Sequence, residues 1–282
     1  MLQVLPPAVS PFASITVNID PTLFRIGHLH VGWYGIAVAL AITAGLLVAR
    51  HEARRRQLDP DAVLAVGGSA VAGGLAGARL LFVVDHWSRF SGSPLDFLAF
   101  QEGGLAIQGA VIGGLVAGGL YARRLRLPVL VFADAAAPAV ILGQAIGRLG
   151  CFVTGDALGS ATSLPWGVRY VNPASMAPQL GVALQPVFAY EALLDLAVFG
   201  VLWAFRKRVT RPGRLFALYL GLYAIGKFGV TFLRQERIWA WGMQEAQFLA
   251  VALFAGAVAF WFVGLLRNPE PATARATAGS EG

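Results

Sequence analysis

Gly143-Gln144-Ala145-Ile146-Gly147-Arg148-Leu149-Gly150-Cys151-Phe152-Val153-Thr154-Gly155-Asp156-Ala157-Leu158-Gly159 is the stretch on which the reading of this chain turns. It starts as the end of an apolar run and finishes in a loop. At the changeover stand Arg148, the only cysteine (Cys151) and the carboxylate of Asp156, among five glycines. An uncompensated cation at the edge of a membrane segment costs on the order of several kcal/mol. Arg148 therefore needs a partner or a ligand, and the rest of the chain says which.

Outward from that stretch the chain is apolar. Of its 282 residues, 57% are hydrophobic and only 13% are charged, against about 25% charged in soluble domains. Mean hydropathy is +0.65. The pattern predicts an all-α polytopic membrane protein of about seven transmembrane helices with a small extracytoplasmic cap. The spans fall at about 31–49, 62–84, 104–121, 129–149, 185–205, 215–232 and 243–266. They form one membrane domain over 1–266, with the cap at 150–184 between spans four and five. A Pro/Ala/Thr/Gly-rich cytoplasmic tail at 267–282 is expected to be disordered. Span two carries Gly73 and Gly77, and span three carries Gly109, Gly113, Gly114 and Gly118. The Gly73/Gly77 spacing lets helix backbones approach closely. The first 19 residues have prolines at 6, 7 and 11 and no basic region, unlike a signal peptide.

The net charge of +7 is a topology signal. Fourteen of the basic residues fall on one side of the seven spans: Arg50, Arg54, Arg55, Arg56, Arg123, Arg124, Arg126, Arg206, Lys207, Arg208, Arg211, Arg214, Arg267 and Arg275. That side is the cytoplasm, so the amino terminus is outside and the carboxy terminus inside. The distribution accounts for the basic balance and excludes nucleic-acid binding. One cysteine excludes a disulfide framework and a cysteine-rich metal site. The four histidines show only the weak His28-x-His30 pairing, so no metal is indicated.

With this topology, residues least expected in lipid gather at one depth on the outer side. They are Arg148 at the end of span four, Arg234 at the end of span six, Tyr34 near the start of span one, Gln108 a turn into span three, and Gln185 and Glu191 at the start of span five. One polar cavity is the simplest account. Arg148 and Arg234 are planar, permanently charged forks suited to a phosphate, and at headgroup depth they suggest a phospholipid. The other reading is that each pairs with Asp156, Glu191 or Glu236 and only fixes helix packing. The glycines at 147, 150, 155 and 159 allow tight turns and exposed amides, or simply close packing. Glu191 stands inside a span, where a carboxylate is functional by default. Asp134 is either a partner for Lys227 or a residue of the cytoplasmic surface. Arg79 and Lys227 are structural partners or snorkel outward. Cys151 has a cation nearby but no histidine beside it, and reads as a small buried thiol on a packing turn rather than a nucleophile.

The segment 147–159, Gly-Arg-Leu-Gly-Cys-Phe-Val-Thr-Gly-Asp-Ala-Leu-Gly, resembles the signature of bacterial prolipoprotein diacylglyceryl transferases, Gly-Arg-x-Gly-Asn-Phe-x-Asn-Gly-Glu-x-x-Gly. Trp33-Tyr34-Gly35, Gly103-Gly104-Leu105-Ala106-Ile107-Gln108-Gly109, Pro165-Trp166-Gly167, Gln185-Pro186-Val187-Phe188-Ala189-Tyr190-Glu191 and Phe232-Leu233-Arg234-Gln235 resemble other family segments, in order, over about 25–265. The resemblance implies transfer of a diacylglyceryl group from phosphatidylglycerol to the thiol of the lipobox cysteine of a preprolipoprotein signal peptide, with release of glycerol 1-phosphate. It implies no cofactor or metal, and a location in the bacterial cytoplasmic (inner) membrane in contact with membrane lipid. By the same resemblance Arg148, Gly159, Cys151 and Arg234 would line the phosphatidylglycerol site. Arg148, Arg234, Tyr34, Asp156, Glu191 and Gln108 would serve catalysis. Gln108 and Gln185 stand where the family has histidine, and Cys151 and Asp156 where it has asparagine and glutamate. An amide hydrogen-bonds but cannot take a proton. A catalytic base would then be Asp156, Glu191 or His30, and a non-catalytic paralogue binding phospholipid or signal peptides is the alternative. A solute transporter is disfavoured, because the halves show no internal repeat.

Overall fold

Apolar runs bounded by proline, glycine and arginine fold here into long helices. The computed structural model describes residues 14–27, 29–90, 97, 104–234 and 238–266. The expected tail at 267–282 lies outside the described residues, as do His28, 91–96 and 98–103 of the polar connector, and 235–237. Strands β1 (Ile15–Val17), β2 (Thr22–Ile26) and β3 (Leu29–Gly32) precede helix α1 (Trp33–Arg55). There follow α2 (Pro60–Asp85), a short α3 (Trp87–Phe90), α4 (Ile107–Arg124) and α5 (Val129–Thr154). The cap holds β4 (Val168–Tyr170) and β5 (Ala183–Leu184), and then come α6 (Val187–Phe205) and α7 (Arg214–Thr231). A hairpin of β6 (Ile238–Ala240) and β7 (Met243–Gln244) leads into α8 (Glu245–Leu266).

Five of these helices (α1, α2, α5, α6 and α8) are long and apolar enough to cross a membrane. Helices α4 and α7 have 18 residues each, about 27 Å at 1.5 Å per residue, close to the thickness of a bilayer core. Their glycines and charged ends lower their hydropathy. The helices pack in sequence: α4 on α2, α2 on α1, α1 on α5, and α5 on α6 and α7, with α8 on α7.

The α2–α4 contact rests on glycine, as the Gly73/Gly77 spacing predicts. A Cβ on Gly77 would sit 2.4 Å from the Gly109 carbonyl oxygen, and one on Gly113 would sit 2.2 Å from that of Gly73. The backbones touch because nothing else is there. The Arg79 guanidinium, on the same helix, donates to the carbonyls of Phe97 (2.9 Å) and Gly104 (3.2 Å).

Three findings correct the expectations. The expected all-α chain carries small sheets: in the described part of the N-terminal lead, from residue 14, β1 runs parallel to β4 with Ile15 opposite Val168. Those strands therefore share one end of the helices. Helix α5 continues past the expected end at 149 to Thr154, so Gly150 and Cys151 are helical and the connecting segment begins at Gly155, whose left-handed backbone ends the helix. Asp134 does not partner Lys227. It is fully buried, pairs with Arg56 at 3.2 Å, and accepts from Gly213 N and Phe216 N, both at 2.9 Å. A carboxylate on α5 thus satisfies the first amides of α7, the task usually done by a helix's own cap residue. Beside it, buried Glu52 takes Arg55 at 2.6 Å and Arg206 at 3.2 Å. This ionic node ties α1, α5, α6 and α7 together at the end away from the cap.

Candidate active site at the cap end of the helices

The opposite end holds a second ionic cluster, centred on Glu191. Glu191 sits in the second turn of α6 and is 4% exposed. Arg148 Nη2, from α5, lies 2.8 Å from its Oε2. Lys227 Nζ, from α7, lies 2.6 Å from its Oε1, and Arg234 Nη1, just past α7, lies 3.8 Å from the same oxygen. Three cations thus meet at one carboxylate. Glu191, Arg148 and Lys227 lie roughly 6 to 9 Å inside their helix ends at 1.5 Å per residue, and Arg234 lies just beyond α7. Asp195, one turn further along α6 and also buried, lines a cavity together with Arg148, Glu191, Lys227, Leu194 and Val198. Arg148 and Lys227 therefore line a cavity with Glu191 and Asp195 among apolar side chains, and Arg234 reaches Glu191 beside it.

The cap positions Arg234. Gly159 N donates to Gln185 O at 2.9 Å, and Gln185 N donates to Ser160 O at 2.9 Å. Ser160 N donates to Leu233 O at 3.3 Å. A Cβ on Gly159 would lie 2.4 Å from that Leu233 oxygen, so only glycine lets the 233–234 segment dock against the cap. The Gln244 side chain donates to Arg234 O at 3.0 Å and holds it from the hairpin side.

Around Arg148 the remaining expected residues fall in two groups. Tyr34, Cys151 and Asp156 lie close enough to one another and to Arg148 to interact electrostatically. The Cys151 thiol is within hydrogen-bonding reach of both Arg148 and Asp156, and Thr154 Oγ1 donates to Asp156 at 3.0 Å. Cys151 also packs with Val17, Val168, Tyr170 and Phe188 in the core beneath the cap. Tyr170, outside the helices, donates to Phe152 O at 2.5 Å. Burial, and after it Asp156 and Cys151, push its phenol well above the ordinary range, so it remains a neutral donor. Trp166 reaches from the cap to Tyr190 Oη at 2.8 Å.

Gln108 belongs to neither group. It is exposed in the first turn of α4, which packs on α2, and no bond among the described residues ties it to Arg148 or Glu191. Gln185 acts through its backbone, in the cap. The structure brings Arg148, Glu191 and Arg234 together, while Gln108 stands on a different arm of the helix array. The expected packing partner Glu236 lies outside the described residues. Lys227 and Asp195 are members that sequence reasoning missed. The available signal was that both are charged residues inside apolar runs, with Asp195 four residues from Glu191 and so on the same helix face.

Fold and cluster together define a helical membrane protein with a buried, cation-rich site near one end of its helices. The family model of prolipoprotein diacylglyceryl transferase matches residues 21–263. The phosphatidylglycerol--prolipoprotein diacylglyceryl transferase of Gloeobacter violaceus is 36% identical over 249 residues, covering 86% of this chain and 92% of the relative. That of Dehalococcoides mccartyi is 36% identical over 246 residues, covering 87% and 94%. That of Trichormus variabilis is 34% identical over 249 residues, covering 86% and 88%. The chain belongs to the prolipoprotein diacylglyceryl transferase family and is a transferase.

Proposed function

We propose that this chain transfers the diacylglyceryl group of phosphatidylglycerol to the thiol of the lipobox cysteine of a preprolipoprotein, releasing glycerol 1-phosphate. The observation that carries the reading is the meeting of Arg148, Lys227 and Arg234 on the single buried carboxylate of Glu191, beside a partly apolar cavity. Its excess positive charge suits a phosphodiester, and its apolar walls suit the lipid attached to it.

The acceptor sulfur attacks the glycerol carbon that carries the phosphate ester. The S–C bond forms, the C–O bond to phosphate breaks, and the electron pair leaves with the phosphate monoester. In the net balance the thiol proton ends on that phosphate. Arg148 and Arg234 neutralise the charge that grows on the leaving oxygen. Glu191 orients the cations, and Tyr34, Cys151 and Asp156 hold Arg148 and the headgroup side of the site. Gly159 shapes the site by admitting the Arg234 segment. Gln108, on its separate arm, offers an amide to the acceptor rather than a base.

Seven spans, with the amino terminus and cap outside the bacterial inner membrane, are the arrangement we infer. Support comes from the β1–β4 pairing, since four spans between these strands return the chain to the same side. The same holds for the contact of Ser160 with Leu233, reached after two more. The arginine-rich node at the other end suits the cytoplasmic face.

The test is to incubate purified protein with phosphatidylglycerol vesicles and a synthetic lipobox peptide and follow the peptide by mass spectrometry. A diacylglyceryl thioether on the peptide cysteine is expected. Phosphatidylglycerol binding without product would favour the non-catalytic reading that the Gln108 and Gln185 positions motivate.

A further inference from the structure

The shortest contact to Glu191 is made by Lys227, to which the transfer step assigns no role of its own. Lys227 and Arg234 compete for one atom: Lys227 Nζ is 2.6 Å and Arg234 Nη1 is 3.8 Å from Oε1 of Glu191. The other oxygen is already held by Arg148 at 2.8 Å. A carboxylate only 4% exposed draws in whichever cation can reach it, because an unpaired buried charge is costly. A shift of about 1 Å would bring the Arg234 fork into charge-assisted hydrogen bonding with Oε1. Lys227 is the compact point charge standing in the way.

We propose that Lys227 is a positioning residue for donor binding: by occupying Oε1 of Glu191 it holds Arg234 off that carboxylate and directed at the donor phosphate. The proposal rests on the reading that Arg148 and Arg234 bind that phosphate.

The test measures kcat and the KM for phosphatidylglycerol of the full chain in vesicles, with a lipobox peptide as acceptor. Lys227→Met is expected to raise that KM by about tenfold or more while kcat changes by less than about threefold. Lys227→Arg should bring KM back to within about threefold of wild type, because a cation again fills Oε1. The double variant Glu191→Gln with Lys227→Met removes both the guard and the charge that would capture Arg234. Its KM should fall below that of Lys227→Met alone. Lys227→Gln carries the same KM expectation as Lys227→Met, so poor folding of the methionine variant leaves the test standing. An unchanged KM in the neutral variants, a loss confined to kcat, or a double variant no better than Lys227→Met would overturn the proposal. Failure of the underlying reading looks different: Arg148→Ala and Arg234→Ala would leave the KM of the wild-type background unmoved.

Discussion

Arg148 and Glu191, on adjacent helices α5 and α6, form a 2.8 Å ion pair in which the carboxylate is almost fully buried and the guanidinium is a quarter exposed. The pair is lopsided. One partner is committed to the protein and the other lines the cavity, so the structure shows Arg148 in its packing role, and its role toward a ligand is the proposal that the next variants test.

Removing that fork should abolish chemistry rather than folding. Arg148→Ala is expected to lower transfer by on the order of a hundredfold or more, the usual effect of deleting one charge-stabilising donor. Arg148→Lys should recover little of it, since a point charge cannot replace the planar pair of donors. Thioether yield at matched thermal stability is the check.

Gly159 should tolerate no side chain. Alanine there places a methyl 2.4 Å from the Leu233 carbonyl oxygen, and the Arg234 segment must move. Gly159→Ala is expected to cost about tenfold or more in kcat/KM, whereas Gly200→Ala, in open space within α6, should leave it unchanged. Steady-state kinetics on the two variants separate a local clash from a general cost of replacing glycine.

Cys151 should prove dispensable as a nucleophile. Its thiol is 5% exposed and packed beneath the cap, while the reacting sulfur comes from the peptide. Cys151→Ala is expected to reduce turnover by less than about tenfold through the loosened Arg148 contact, far less than deletion of an attacking group. Intact-mass analysis during turnover should find no diacylglyceryl adduct on the enzyme.

Asp134 should be a matter of stability alone. Asp134→Ala leaves Arg56 and two amides at the start of α7 without their acceptor, and loss of a buried ion-pair partner costs about 3–5 kcal/mol. Thermal unfolding in detergent should show a clear drop, with the KM for phosphatidylglycerol in the surviving protein unchanged. An altered KM with intact stability would contradict this division between the two ends.

How much of this was legible beforehand depends on what a linear pattern can carry. Position along a helix is readable, so Arg148, Glu191 and Arg234 were expected at one depth and meet there. Rotation about the helix is readable only when a helix has a polar face. Helix α6 is apolar apart from Glu191 and Asp195, whose spacing puts them on one face, but nothing in the sequence says that this face meets Lys227 of α7. Gln108 fails for the same reason: its depth was inferred, but α4 leans on α2 and carries it away. The glycines of this stretch read either as turns or as close packing, and at Gly150 the structure shows packing: a Cβ there would press on Tyr34 Cδ2 at 2.8 Å and on Ala37 Cβ at 3.2 Å, across the α1–α5 contact. The N-terminal strands were invisible because β1 is three residues long and finds its partner only in the cap.

The central claim is that the donor phosphate is held by Arg148 and Arg234 next to Glu191. A structure of the protein with phosphatidylglycerol bound in a lipid nanodisc measures this directly. The account predicts the headgroup phosphorus within about 4 Å of guanidinium nitrogens of both arginines, at charge-assisted hydrogen-bond distance of its oxygens, with Lys227 still on Glu191. A headgroup lodged elsewhere, for example beside Gln108 on the α2–α4 arm with both arginines unchanged on Glu191, would contradict it.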